Sequence, residues 1–257
     1  MAQTRSAIVT GGVSGLGRAV AQRLLDVGYA VTVTHRSSRA KADAFLELAR
    51  SRGQPLLALA ADAADEGDVA AMVRAHREHY GVPWALVHAA GPFLLSRTPL
   101  SEVDLPKLRA VLDGNLWSAM LCAKAALELM HEGAGGGRIV FFGYDEAAFL
   151  PAWSGRAAYA AAKSGVVSLA RSLSAEEAPH GITVNVICPG DIRRPFKEGS
   201  IAEARRSTDD AAPVGRPGSG EDVARLTDFL LDQDSDFLTG NIIAVDGGLD
   251  VIHRGRG

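Results

Sequence analysis

The stretch "VTGGVSGLGRAV", Val9 to Val20, decides the fold. It joins an apolar run, "SAIVT", to an amphipathic helical pattern extending from about Leu16 to Val27. Between them Gly11, Gly15 and Gly17 stand in a G-x3-G-x-G spacing. Glycines let the chain turn sharply and let its backbone approach a pyrophosphate seated on the following helix N-terminus. A glycine pattern alone says little, but here a strand precedes it and a helix follows, as the motif requires. The spacing predicts a dinucleotide contact made by Thr10, Gly11, Ser14, Gly15, Leu16 and Gly17.

The same alternation runs outward along the chain. "YAVTVT" leads to a helix through "AKADAFLELARS", and "LLALAAD" to one over "VAAMVRAHREHY". "WALVHAA" is followed by a long helix near "LRAVLDGNLWSAMLCAKAALELM". "GRIVFFG" precedes a helix around Tyr159 to Glu177, and "ITVNVICPG" and "NIIAVDGG" supply two more strands. Strands that are apolar throughout and joined by helices predict a parallel sheet covered on both faces. The expected fold is α/β: a single Rossmann domain over residues 1–257, doubly wound, with about seven strands. The least regular segment, 191–217, is rich in charge, Pro and Gly and is expected to cover the substrate.

Composition bounds the function. Hydrophobic residues make up 47% and charged residues 22% of 257 residues, enough for one large core. A net charge of -3 argues against a nucleic-acid surface. No apolar run reaches a membrane span, and "SAIVTGG" leaves no room for a signal peptide. Cys122 and Cys188 read as buried, reduced thiols, which points to the cytoplasm. His76 and His79 share a helix without further ligands at metal spacing, so both are expected on the surface and no metal is expected.

The second strand ends in "VTVTHRSS". An acid at this position usually holds the ribose 2′-hydroxyl of NAD, whereas an Arg accommodates the 2′-phosphate of NADP. Here stand His35, Arg36 and Ser37, with no acid. The planar fork of Arg36 and the serine hydroxyls suit a phosphate, so the reading is NADPH. Asp62, with Ala63 beside it, is placed to meet the adenine or to cap the following region.

Tyr159 and Lys163 are four apart on a helix and share a face. A free tyrosine is a weak acid with a pKa near 10, and a nearby ammonium lowers that value toward the working range. Together with the glycine turn, this pair resembles the short-chain dehydrogenase/reductase family. The resemblance spans nearly the whole chain through "TGGVSGLG", "HAAG" (His88–Gly91), Asn115, "YAAAK", "CPGDI" and "TGNIIAVDGG". It implies a nicotinamide cofactor, a small carbonyl substrate and a homo-oligomer, tetramer or dimer. It also implies that Tyr159 is the proton donor, that Lys163 tunes it and binds ribose, and that Asn115 holds a water linking Lys163 to solvent. Ala90, Gly91, Pro189, Gly190 and Ile192 would line the cofactor.

The chain departs from the family pattern twice. His88-Ala89-Ala90-Gly91 replaces the usual Asn-Asn-Ala-Gly, and His88 is expected to be a satisfied core histidine. The usual serine after the strand is also missing. Counting along the strand puts Tyr144 in its place, whereas spacing back from Tyr159 allows Asp145 or Glu146. An acid here, and the His-Arg-Ser run, resemble the pteridine reductases of the same family. Arg193, Arg194 and Lys197 suit an anionic substrate group or a solvated cluster equally. Ala160, Ala161, Ala162 and Gly165 suit close packing, against a partner helix or against the chain's own elements. The expected activity is NADPH-dependent reduction of a ketone or 3-oxoacyl carbonyl. The alternatives are pteridine-type C=N reduction and a non-catalytic dinucleotide-binding scaffold.

Overall fold

The computed structural model describes residues 5–92, 97–133, 135–144 and 147–249. Strands β1 (Ser6–Thr10), β2 (Ala30–His35), β3 (Leu56–Ala60), β4 (Ala85–His88), β5 (Gly137–Phe142), β6 (Ile182–Pro189) and β7 (Ile242–Val245) form one sheet. Its order is β3-β2-β1-β4-β5-β6-β7, and every pair is parallel. The strand order reverses between β1 and β4, where a doubly wound sheet opens a crevice beyond its carboxyl ends.

Side-chain alternation sorts the core into two layers. Ile8, Leu86, Ile139, Phe141, Val184 and Val186 face one layer. It holds α3 (Glu66–Tyr80), α4 (Leu105–Leu112), α5 (Ser118–Glu132) and α6 (Ala157–Glu177). Ala7, Val9, Ala85, Val87, Val140 and Ile187 face the other. There α1 (Gly15–Asp26), α2 (Arg39–Ser51) and α8 (Gly220–Leu231) pack. The remaining helix, α7 (Ile201–Ala204), is one turn inside the irregular segment.

Three features differ from the sequence reading. Helix α8 was not anticipated. Its start is a reciprocal cap, with Asp222 N–H donating to Ser219 Oγ and Ser219 N–H to the Asp222 carboxylate. It is fastened to α1 by the Arg23–Asp228 ion pair at 2.8 Å. The single long helix is instead α4, a π-helical turn over Asp113–Trp117, and α5. Within that turn the Asn115 amide donates to the carbonyls of Val111 and Pro92 at 2.9 and 3.0 Å. A side chain inserted into the helix ladder accompanies such a turn, and π turns gather at functional positions.

His76 is not at the surface. It lies on the buried stripe Val69, Met72, His76 of α3, at helical spacing. Its Nδ1 meets Thr32 Oγ1 at 2.8 Å and its Nε2 meets Ser6 Oγ at 3.0 Å, joining α3 to β1 and β2. His79 is exposed, as expected. Both thiols are buried and neither is in a disulfide. Gly165 packs within the chain, since a Cβ there would lie 2.9 Å from the Leu116 side chain. Among the described residues no helix is long and apolar enough to cross a membrane.

Burial pushes the His76 pKa down to about 4, and that of the equally buried His88 down to about 3. The unfolded chain binds these protons from pH 6.5 downward and the folded chain only well below that. Stability is therefore fully present above that value and is lost as the pH falls. By about pH 5 each histidine should have cost roughly 2 kcal/mol. Urea unfolding at neutral and mildly acid pH measures this loss, and His76→Asn should flatten the acid slope while lowering neutral stability. An unchanged slope in that variant would rule out His76 as a contributor.

Candidate active site

The turn after β1 is pressed against the end of β4. Gly11 has φ 65°, and a Cβ there would lie 3.1 Å from the Ala90 Cα and N. A Cβ on Gly17 would lie 2.6 Å from the Gly11 carbonyl oxygen, so α1 starts directly on the turn. Thr10 is wholly buried and does not line the crevice. Its hydroxyl accepts from Ala90 N–H at 3.2 Å and meets His88 Nδ1 at 3.0 Å. His88 Nε2 in turn meets Ser118 Oγ at 3.1 Å, and Ser118 Oγ donates to the Gly114 carbonyl at 2.8 Å. With the Ser118 proton committed to Gly114, Ser118 accepts from His88 Nε2–H, and Thr10 donates to Nδ1. His88 is thus a neutral, doubly bonded core histidine that ties β1, β4 and the π turn together.

The start of α1 already holds an anion. Ser14 is extended and makes no side-chain cap. Instead Gly15 N–H donates to the Glu198 carboxylate at 2.7 Å, across the chain from segment 191–217. This carboxylate stands where the glycine turn offers a phosphate its seat.

Beyond the turn lies a cleft of about 310 Å³, lined by Gly11, Ser14, His35, Arg36, Ser37, Asp62, Ala63, Ala90 and Gly91. Arg36 is largely exposed and 3.8 Å from the Asp62 carboxylate, a weak surface pair that leaves the guanidinium free to turn. Asp62 Oδ1 accepts from Ala64 N–H, whereas Asp65 caps α3. On the other side of Ser14, Ala90 and Gly91 lies a cavity of about 280 Å³. Gly15, Leu16, Gly17, Asn115, Tyr144, Tyr159, Lys163, Pro189, Gly190 and Ile192 line it. The two spaces share three residues and form one crevice; of the described candidates, Thr10, Arg193 and Arg194 do not border it.

Burial dominates the electrostatics of the inner cavity. It raises the Tyr159 pKa above the ordinary phenol value, opposed by the Arg156 guanidinium. It lowers Lys163 to about 8. The expected depression of Tyr159 by Lys163 is not what the protein alone produces. Lys163 Nζ donates to the Phe142 carbonyl at 2.8 Å and lies 6.0 Å from the Tyr159 ring centre. Asn115 Oδ1 is buried and receives no hydrogen bond from the described residues, so it retains an acceptor for a bound molecule. Tyr144 is buried against Trp153, ring centres 5.4 Å apart, and its hydroxyl meets Ser164 Oγ at 3.4 Å. Asp145 and Glu146 lie outside the described residues.

The sequence reading did not single out three residues of this site. Trp153 stacks on Tyr144 and meets Tyr159 edge-on at 6.0 Å. Arg156, at the start of α6 and buried, supplies the positive field on Tyr159. Their signal was proximity within "WSGRAAY", six and three residues before Tyr159. Glu198 gave no signal, because its partner is far along the chain.

The arrangement fits a dinucleotide: a glycine cradle too tight for side chains, an anion on the helix N-terminus, a guanidinium at one end and a buried Tyr–Lys–Asn group at the other. A family model described as enoyl-(acyl carrier protein) reductase matches residues 11–250. The chain is 37% identical to a Bacillus subtilis (strain 168) protein named as an oxidoreductase, YtkK, over 98% of this chain and 99% of that one. It is 33% identical to the 3-oxoacyl-[acyl-carrier-protein] reductase FabG of Staphylococcus aureus (strain Mu50), over 97% and 99%. A solved actinorhodin polyketide ketoreductase with NADPH superposes with a TM-score of 0.84 at 29% identity, over 96% and 97%. The chain belongs to the short-chain dehydrogenase/reductase family and is an oxidoreductase of the NAD(P) type.

Because a phosphate and the Glu198 carboxylate want the same N–H, Glu198→Gln should tighten dinucleotide binding. A charge at a helix N-terminus is worth about 0.3–1 kcal/mol, so the gain should be about two- to fivefold. Fluorescence titration of both proteins measures it. Equal affinities would mean the carboxylate leaves without cost.

Proposed function

We propose that this short-chain dehydrogenase/reductase reduces a ketone or 3-oxoacyl carbonyl with NADPH. The carrying observation is that Tyr159, Lys163 and Asn115 border one buried cavity continuous with the glycine cradle. Similarity to a 3-oxoacyl-[acyl-carrier-protein] reductase and to a ketoreductase with NADPH supports the carbonyl substrate. Arg36 and Ser37, without an acid at the end of β2, support the phosphorylated cofactor.

When bound, the nicotinamide supplies a hydride to the carbonyl carbon. Tyr159 donates its phenolic proton to the carbonyl oxygen, giving an alcohol. Burial keeps that phenol protonated at neutral pH, as a donor must be. Lys163 would hold the ribose, and a water accepted at Asn115 Oδ1 would link Lys163 to solvent, so that a replacement proton passes through the water and the ammonium to Tyr159. Tyr144 takes the place of the family serine, its hydroxyl turning from Ser164 to the substrate oxygen. Trp153, beside both tyrosines, gives the cavity an apolar wall. Segment 191–217 covers the site through Ile192 and Lys197. The reading includes a cytoplasmic homo-oligomer, tetramer or dimer; the exposed apolar side chains of Trp117 and Met120 suit a subunit contact.

The first test is NADPH consumption across ketones, acyl thioesters and dihydropteridines. Ketone or thioester turnover is expected. Turnover of dihydropteridines alone would move the assignment to C=N reduction, and no turnover at all would favour a non-catalytic dinucleotide-binding role. Tyr159→Phe should abolish turnover with NADPH binding largely intact. Tyr144→Phe should slow it less, by at most the roughly 2.7–4 kcal/mol of one lost oxyanion donor. Full activity in Tyr159→Phe would place the proton donor elsewhere.

Cofactor choice is separately testable. Arg36→Asp should weaken NADPH much more than NADH, because it replaces a phosphate partner with a repelling charge. Equal binding of the two cofactors by the unaltered protein would contradict the NADPH assignment.

A further inference from the structure

At the sheet edge opposite the crevice, three metal-ligating side chains converge. The strands are parallel, so the turns entering β5 and β6 lie at the amino-terminal edge, away from the glycine cradle. His131 is in the last turn of α5, and Glu177 is the last residue of α6. His180 ends the single 3-10 turn that follows. The His131 Nε2 to Glu177 Oε2 distance is 2.6 Å, and the two imidazole centres are 4.5 Å apart. One ligand atom from each of the three lies within 4.8 Å of the others.

The backbone fixes this meeting. Gly137 is in register with Ile182, so the two turns abut. A Cβ on Gly136 would lie 2.4 Å from the Gly181 carbonyl oxygen, which leaves no room for the turns to shift past each other. Glu177 and His180 have the i, i+3 spacing that places both on one side of a helical turn, a recurring Glu-x-x-His ligand pair. His131 supplies the third ligand from a different helix. Glu177 is 8% exposed, and a carboxylate so buried needs a positive partner. His131 and His180 keep an outer face in solvent, open to an entering ion.

Two imidazoles and one carboxylate suit zinc or a similar first-row dication, whereas magnesium and calcium prefer oxygen ligands throughout. In a tetrahedral zinc site the ligand atoms stand roughly 3.4 Å apart, as bond lengths near 2.1 Å require. The close His131–Glu177 pair must open and the widest pair must close, each by an amount that side-chain rotation of exposed imidazoles supplies. We infer that His131, Glu177 and His180 bind a zinc-class dication that staples the end of α5 to the α6–β6 turn. The remaining coordination position faces solvent and takes water. At the far edge of the sheet the ion has no part in hydride transfer, so the inference stands apart from the proposed reaction.

The test uses the full chain, stripped by chelator and titrated with zinc chloride, with magnesium chloride as the contrast. Calorimetry should show one zinc per chain and no magnesium, and zinc should raise the thermal midpoint. His131→Ala and His180→Ala should each weaken zinc at least about tenfold and lose the thermal shift. Circular dichroism of the metal-free variants checks their fold, and His180 is exposed, so its replacement leaves the core intact. His79→Ala, on the exposed face of α3, should bind zinc as the unaltered chain does. No saturable binding would overturn the site. So would unchanged zinc affinity in a folded His131→Ala/His180→Ala chain.

Discussion

The architecture depends on how closely two turns approach at the β1–β4 crossing. With Gly11 resting on Ala90 and Gly17 on Gly11, no side chain fits between α1, the turn and β4. This contact aims the N-terminus of α1 into the crevice and sets the floor on which a phosphate would lie. The polar chain beneath it, Ala90–Thr10–His88–Ser118–Gly114, extends the same constraint to the π turn. The glycine cradle and Asn115 are therefore positioned by one buried network, although they lie on opposite sides of the strand reversal.

That network explains why a histidine can replace the family's asparagine. Its position needs groups that bond on both sides within a dry core. A neutral imidazole offers one donor and one acceptor, and both are used. Burial and the nearby Lys163 both oppose a charge on it. The same low-polarity surroundings act on the two titratable groups of the cavity, raising Tyr159 and lowering Lys163. Without a bound anion, the cost of burying charge outweighs the mutual attraction of a phenolate and an ammonium.

The sequence was most legible where structure is local. The glycine turn, the strand periodicities and the Tyr–Lys spacing each depend on neighbours a few residues away, and the seven strands lie where their apolar runs stand. Legibility failed where a distant partner decides. His76 carries a polar ring on an apolar stripe, and only the hydroxyls of Ser6 and Thr32 make that position habitable. Helix α8 had its cap in plain view at Ser219 and Asp222, but it follows directly on the Pro- and Gly-rich segment 191–217, and no element was assigned between that segment and the last strand. The π turn leaves the apolar spacing around it nearly unchanged, so a straight helix was the natural reading. In the site, Tyr144 stands two residues beyond the end of β5 and lines the cavity wall. The stacking of Trp153 on it depends on a fold-back that periodicity does not encode.

The contact between Glu198 and Gly15 joins two parts of the crevice that the chain keeps far apart in sequence. Segment 191–217 contributes Ile192 and Lys197 to the cavity beside Tyr159, and Glu198 to the seat at the start of α1. On the proposed reading, a phosphate arriving at Gly15 must displace that carboxylate, because both are anions seeking the same N–H. Displacement frees the three-residue turn Phe196–Glu198 at one end and so changes the cover over the substrate. Binding free energies are reciprocal: if dinucleotide binding loosens this cover, a substrate that holds the cover in its displaced position must tighten the dinucleotide by the same factor. On that reading the Glu198 carboxylate links the start of α1 to the turn Phe196–Glu198 at the mouth of the cavity.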